Sequence, residues 1–552
     1  MKQCIYLTIL CLLIGLQAFA QNTIVTMTTT EDSVKIYVEW VGSGSLSANG
    51  MELKNSDDTW STISSTIDGL VVVTTTGDVQ LTRLECMDNF LTTLDVTNCP
   101  ELRRLYCNDN SLSYLNVTNC TKLTNLWCSD NSLTDLDVSN CLKLMKLSCS
   151  NNLLTTLDLT NCTELTDLEC RQNSLTALDV TKCPNLTDLW CTDNSLTALD
   201  VANCPMLEHL HCDNNSLTTL NATNCLKLTR LYCTDNALTA LNITKCMELR
   251  WLFCYNNRLS SLDVTNCPML EWLRCSNNSL SDIDVTSCLA LEYLDCSSNS
   301  LSALNVINCP KLTSLWCSDN SLSVLYLTNC TELTKLHCDN NSLSDLDVTI
   351  CPKLTELYCS SNSLTVLDIT NCTKLREFSC ANNITLKTLD IAKCPKLTEL
   401  YCSHITLTTL DIANCQELTT LDCAYNFLST LDITNCQELT KLWCGNNYLS
   451  ALDITKCTKL EYLNAEQQTP TLPVAEAKHT KLRIKNPVTF AGAEVKIDNI
   501  SHGGTHKTGD ITWKIQGKSG ELSFDFATEL PEEIIGEPFS GTVTQPWTKN
   551  KK

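Results

Sequence analysis

Leucines recur through most of this chain with a period of 21 residues, in the pattern LxxLxCxxNxLxxLDVTxCxx, first at Leu81 and still legible at Lys459. Eighteen copies fit this span, with one extra residue in the copy that begins at Leu375. Positions 3 to 5 alternate around an inward leucine at position 4, the period of two that marks a half-buried strand. Leucines at positions 11 and 14 also point inward. One copy cannot bury its own leucines, so copies must stack, and like positions then form ladders about 4.8 Å apart along a sheet. Asparagine fills position 9 from Asn89 to Asn447, with Ile405 the single exception. Its amide suits the buried backbone groups of a turn, in its own coil and the next, so few glycines are needed. Ile405 follows directly on the copy with the extra residue, and an irregularity is expected over Asn383 to Leu407.

The flanks break the pattern. Residues 1–20 join Lys2 to an apolar run from Ile5 to Leu16 and close on Ala18, Phe19 and Ala20, which reads as a signal peptide of an exported protein. No later apolar run reaches the ~18 residues of a membrane span, so no membrane insertion is expected after cleavage. Residues 21–80 alternate in Val34 to Val41 and Val71 to Thr76 and predict a β-rich N-terminal cap. Residues 460–552 open with a degenerate copy in which Ala465 stands for the cysteine and Gln468 for the asparagine. From about Pro470 short strands, such as Ile511 to Gln516 and Leu522 to Phe526, predict a small β-sandwich-like domain.

Thirty-six of the 38 cysteines are repeat positions, at 6 (Cys86, Cys107, Cys128) and at 19 (Cys99, Cys120, Cys141). An exported protein invites disulfides. Parallel in-register strands, however, hold Cβ atoms near ~4.8 Å, whereas a disulfide needs about 3.8 Å, so buried free thiols are the favoured reading. The net charge of −23 argues against a nucleic-acid partner, which would require a basic surface. That acidity sits on residues 81–466, at −19, against +1 for residues 467–552.

With its LxxLxCxxN core and following LDV, the repeat resembles the bacterial leucine-rich-repeat family, and within it the internalin-like group with a cysteine ladder. The resemblance covers 379 of 552 residues, and the second cysteine at position 19 departs from the common internalin pattern. It implies a leucine-rich-repeat solenoid, mostly β, with a parallel concave sheet and little or no helix. It also implies a secreted or cell-surface, ligand-binding role.

Chemistry is sparse. There is no nucleophile elbow, phosphate loop or HExxH, so neither an enzyme nor a cofactor is expected. Position 15 is Asp in thirteen copies, a column that either holds calcium or simply caps solvated turns. His209 and His211 share one strand face and raise the same question for a transition metal. The variable signal is position 5, which flanks the inward leucine and faces outward. Nine of its eighteen residues are aromatic, although the whole chain has only 32 aromatics. The candidate ligand-binding residues are therefore Tyr106, Trp127, Trp190, His211, Tyr232, Phe253, Trp316, His337, Tyr358, Tyr401 and Trp443, joined by Trp251, Trp272 and Tyr293 at position 3. A protein ligand, for adhesion or host-surface contact, is the leading expectation. A glycan stacked on the same rings and a purely structural spacer are the alternatives, and β-propensity alone would also favour aromatics here. Set in blocks of six copies, position 5 keeps Tyr at its second place and Trp at its sixth, and the stretch Leu210 to Leu217 is identical to Leu336 to Leu343. Duplication of a six-copy unit explains the identity, and three related contact zones are the functional expectation.

Overall fold

Three-residue strands at positions 3 to 5 are the repeating element of the computed structural model, which describes residues 23–55, 60–472, 475–477, 481–485, 488–491, 495–507, 510–514, 519–529 and 534–549. The chain divides into two units, residues 1–279 and 280–552. The expected signal peptide lies outside the described residues. In the first unit the strands run from Arg104–Tyr106 to Trp272–Arg274, parallel and in register, so that Leu105, Leu126 and Leu147 pair in sequence. In the second they run from Tyr293–Asp295 to Tyr462–Asn464 by the same rule. The spacing steps from 21 to 22 residues only at Glu377↔Glu399, after the extra residue. Among the described residues the only helical turn is a 3-10 segment at Ser501–Gly503.

Position 8 turns the chain after each strand. Its φ lies between 51° and 57° in every copy, the left-handed region, from Asp88 and Asp109 through Asn446 to Gln467 of the degenerate copy. Asn and Asp tolerate this region better than other side chains, for which it costs roughly 1–2 kcal/mol. Turning and hydrogen bonding, both assigned above to position 9, are thus divided between neighbours. Position 9 does the bonding: Asn131 Nδ2 donates to the carbonyls of Cys107, Cys128 and Ser129 at 3.0, 3.2 and 3.1 Å, and its Oδ1 accepts from Leu112 N at 2.9 Å. Cys107 and Leu112 belong to the preceding coil, so the amide ties each coil backwards and not to the next one as expected. Gln468 performs the same task in the degenerate copy, on Cys444 O at 2.9 Å and Leu449 N at 3.0 Å.

The expected irregularity has a local cause. Elsewhere the position-11 amide is bonded by the next coil's asparagine, as Leu364 N is by Asn383 Oδ1 at 3.0 Å. Leu386 would need an amide from Ile405, which has none; its N–H instead turns back to Asn383 O at 2.9 Å. The extra residue makes that turn possible and leaves Ile384 71% exposed, while the Thr385 hydroxyl donates to Leu364 O at 2.8 Å. Insertion and missing asparagine compensate each other.

Inside the coils, leucines at positions 1, 4 and 11, those at position 14 apart from Leu325 and Leu389, and both cysteine columns are buried, and all 36 cysteines from Cys86 to Cys457 are free thiols. Position-19 thiols point at backbone of the preceding coil, as Cys120 Sγ does at Val96 O, 3.6 Å away. Burial raises the position-6 thiols such as Cys107 and Cys128 well above the usual thiol range, and Cys120 to about 11. Protonated and enclosed, these groups act as small apolar side chains.

Each unit is closed by a different cap. At the N-terminal end the strand Ser33–Val41 pairs antiparallel with Gln80–Glu85 of the first coil, and Thr23–Thr29 pairs with Leu91–Asp95. Asn89, with no preceding coil, exchanges both amide bonds with Lys35 of the cap at 2.7 Å. At the other end Ile535–Glu537 adds in parallel to Tyr462–Asn464, and Thr489–Ala491 to Ala451–Asp453. Beyond lie a four-stranded and a three-stranded sheet. Trp513 of one meets Phe524 of the other at 6.3 Å, and Phe526 and Phe490 pack on Phe539, which is the sandwich-like core expected.

Candidate functional site

In the first unit, in-register pairing brings position-5 side chains of successive coils face to face. Trp190 and His211 stack at 3.6 Å with planes 7° apart, His211 and Tyr232 at 4.3 Å and 12°, and Phe253 closes the run edge-on to Tyr232 at 4.8 Å. Guanidinium groups bound the run: Arg171 lies 4.8 Å from the Trp190 ring and Arg274 5.8 Å from Phe253. At position 3, Arg230 sits 4.5 Å over Trp251, which meets Trp272 at 6.4 Å. Tyr106 and Trp127 form a separate pair at 4.4 Å.

The second unit repeats the motif. Trp316 stacks on His337 at 3.8 Å and His337 on Tyr358 at 4.5 Å. Carboxylates, not guanidiniums, lie beside this stack. Tyr358 donates to Glu377 Oε2 at 2.7 Å, Tyr401 to Glu399 Oε2 at 2.9 Å, and Glu356 Oε2 stands 3.5 Å from His337 Nε2. Trp443 is not isolated but meets Tyr462 of the degenerate copy at 5.0 Å. Tyr293 is half-buried at its strand's start.

Sequence reasoning placed these rings on one face but took position 5 to be open to solvent. Most are half-buried, because neighbouring rings cover one another's faces and solvent meets ring edges. Trp127 and Trp272, at 41% and 39%, are the most exposed of the candidates. The arginines over the rings and Tyr462 were missed, although a basic residue next to an aromatic at positions 3, 5 or 7 could have flagged them. Also missed were Asp213 and Asp339 at position 7, held by Thr234 N at 3.0 Å and Ser360 N at 2.8 Å, with burial raising both carboxyls.

Burial among neutral rings, reinforced by His209, Arg171 and Arg230, lowers His211 to about 4. His337 is lowered too, against opposing pulls from Glu356 and Asp339. Both are neutral stacking rings near pH 7. His209 is tied to Asp188 at 2.6 Å, and among the described residues no three His, Cys, Asp or Glu side chains converge as a metal site. The Asp column caps turns, since Asp158 Oδ1 accepts from Thr160 N and Oγ1 at 2.9 and 2.6 Å, and Asp179, Asp263 and Asp432 repeat this with Thr181, Thr265 and Thr434. Two shallow open depressions of about 590 and 680 Å³ lie elsewhere, on turns around Pro184 and Pro205 and around Pro395 and Gln416.

Parallel one-strand coils, an asparagine ladder and two buried cysteine columns define a leucine-rich-repeat solenoid with a cysteine ladder. The functional domain of InlJ from Listeria monocytogenes, itself described as including a cysteine ladder, is 31% identical, with 78% of this chain and 91% of that one covered and a TM-score of 0.63. YopM from Yersinia enterocolitica is 27% identical over 71% of this chain and 84% of that one, with a TM-score of 0.57. In sequence, Internalin I of Listeria monocytogenes is 37% identical over 87 residues, which is 15% of this chain and only 5% of that much longer protein. A family model described as LRR adjacent matches residues 492–548. The chain belongs to the internalin-like leucine-rich-repeat proteins. These are binding proteins and not enzymes.

Proposed function

We propose that this is a secreted or cell-surface binding protein whose stacked position-5 rings and their charged flanks contact a protein ligand, in adhesion or host-surface contact. The observation that carries this reading is the Trp190–His211–Tyr232–Phe253 stack. Its faces are spent on one another, so it offers a rigid row of ring edges bordered by guanidiniums. Rigid aromatics beside arginine are what protein interfaces use as hot spots, whereas a sugar needs an uncovered ring face. Internalin-like kinship supports surface presentation, and the residues named as ligand-binding are part of this proposal. The test is capture of proteins from host-cell surface extracts by the wild type and by Trp190→Ala, Tyr232→Ala and Trp316→Ala. Losses of about tenfold or more in binding to the captured protein are expected, since hot-spot truncations cost ~2 kcal/mol. Undiminished capture by all three variants would leave the spacer reading in its place.

A further inference from the structure

The aromatic column of the first unit lacks a rung. Trp127 stacks on Tyr106 at 4.4 Å on one side, but the next coil puts Ser148 where a ring would stand. Trp127 is correspondingly 41% exposed. Coils are spaced about 4.8 Å apart, so roughly 9.6 Å separates Trp127 from Glu169 two coils on. That gap admits one ring in van der Waals contact with the indole. Its floor is polar and ordered: the Ser129 and Ser148 hydroxyls are 2.8 Å apart, and Ser148 donates to Glu169 Oε2 at 3.0 Å. Its sides carry matched charge, Lys146 with Asp167 at 3.2 Å and Arg171 with Glu169 at 3.8 Å.

We propose that this missing rung is a carbohydrate subsite that takes one neutral pyranose ring, its C–H face on Trp127 and its hydroxyls on Ser148 and Glu169. An apolar face beside an array of hydroxyl, carboxylate and cationic donors and acceptors is the chemistry of a sugar and not of an aliphatic side chain. Pairwise neutralisation of the charged rim leaves no net cation to favour uronic or sialic acids. The second unit shows that an empty rung is not left open by default. There Ser379 also replaces a ring and also bonds a neighbouring serine, Ser360, at 2.5 Å. But Tyr358 leans over it, its hydroxyl reaching Glu377 at 2.7 Å, and Ser379 is buried. At Ser148 the preceding ring, Trp127, stays 41% exposed and Ser148 itself is only half-buried.

The inference goes beyond the protein-contact reading, and its titration contains no protein ligand, so the two fail separately. Purified full chain is titrated with chitotetraose, cellotetraose and a β-galactobiose, followed by tryptophan fluorescence and by ligand-observed NMR. Binding of at least one with a Kd of about 1 mM or tighter is expected. Trp127→Ala should weaken it about tenfold, the value of one aromatic contact. Ser148→Tyr leaves Tyr106, Trp127 and Glu169 in place, removes the Ser148 hydroxyl and puts at position 5 a residue that four other copies already carry there. It should fill the rung, keep the melting temperature and abolish sugar binding. The proposal is overturned if the wild type binds none of the three, if Ser148→Tyr binds as tightly as the wild type, or if a Phe- or Tyr-containing peptide enters the slot where the sugars do not.

Discussion

The two Trp–His–Tyr stacks are alike in their rings and differ in their surroundings, although a carboxylate, Asp188, acts on His211 in the first and a cation, Lys335, on His337 in the second. Both carry an aspartate at position 7 beside the histidine, Asp213 and Asp339, within an identical octapeptide. Around the first lie Arg171, Arg230 and Arg274; around the second lie Glu356, Glu377 and Glu399. Ring spacing is imposed by the coil, so it is the same wherever the rings are the same. Most flanking residues are free of that constraint, because Arg171 at position 7 and Arg230, Glu356, Glu377 and Glu399 at position 3 border the column without filling it, whereas Arg274 ends it at position 5. If each stack contacts ligand as proposed, the two offer the same ring geometry with different flanking charge.

The comparison breaks most visibly if the scaffold beneath the stacks is not equivalent. Asn215 serves Cys191 O, Cys212 O, Asp213 O and Leu196 N at 3.0, 3.2, 3.1 and 2.9 Å. Asn341 serves the matching groups of Cys317, Cys338, Asp339 and Leu322 at 3.0, 3.1, 3.0 and 2.9 Å. Alanine at either place strands several buried backbone groups and should cost ~3 kcal/mol locally. Because a solenoid opens by segments, hydrogen exchange around each site is the measurement to make. Unequal protection losses in the two variants would show that the duplicated coils no longer share their energetics.

A smaller effect separates the histidines. For both, the folded pKa lies below the unfolded value of about 6.5, so the fold favours the neutral ring. The associated stability is complete above that pH and is lost as pH falls towards the folded value, about 4 for His211. His337, with Glu356 and Asp339 opposing its burial, should titrate at higher pH than His211. Two-dimensional NMR of the imidazole resonances checks the order, and a reversed order would mean that the flanking charges do not reach the stacks.

Much of this was legible in advance because the repeat makes each position vote eighteen times. Leucine and cysteine columns, the strand at positions 3 to 5 and the disturbance near Ile405 all follow from periodicity. The left-handed residue at position 8 was hidden by its variety, since Asp, Asn, Gln, Ser, His and Tyr all occupy it. The direction of the asparagine bonds was hidden too, because periodicity is blind to which neighbour an amide addresses. Exposure of position 5 was overestimated for a related reason: alternation says that a side chain leaves the core, not that the next ring covers it. Ser148 was only one of the non-aromatic residues at position 5, and its hydrogen bonds to Ser129 and Glu169 and the open Trp127 made it a candidate site.

The smallest expected effect bears most directly on the flanks. Arg230→Glu removes the cation over Trp251, and Glu356→Arg removes the partner that Lys335 holds at 2.7 Å. Both residues are at the sheet surface, so each change should alter stability by under ~1 kcal/mol. Their influence belongs to association, where charge acts over the Debye length, about 30 Å at 0.01 M salt and about 8 Å at 0.15 M. If the stacks meet segments of opposite charge on one ligand, both reversals slow its association, and both penalties shrink as salt is raised. If the ligand is of one sign throughout, one reversal slows association and the other speeds it. Stopped-flow association of the captured ligand with each variant, at low and at physiological salt, decides between these. A rate that neither reversal changes at low salt would remove the flanks from recognition and leave the rings alone to account for it.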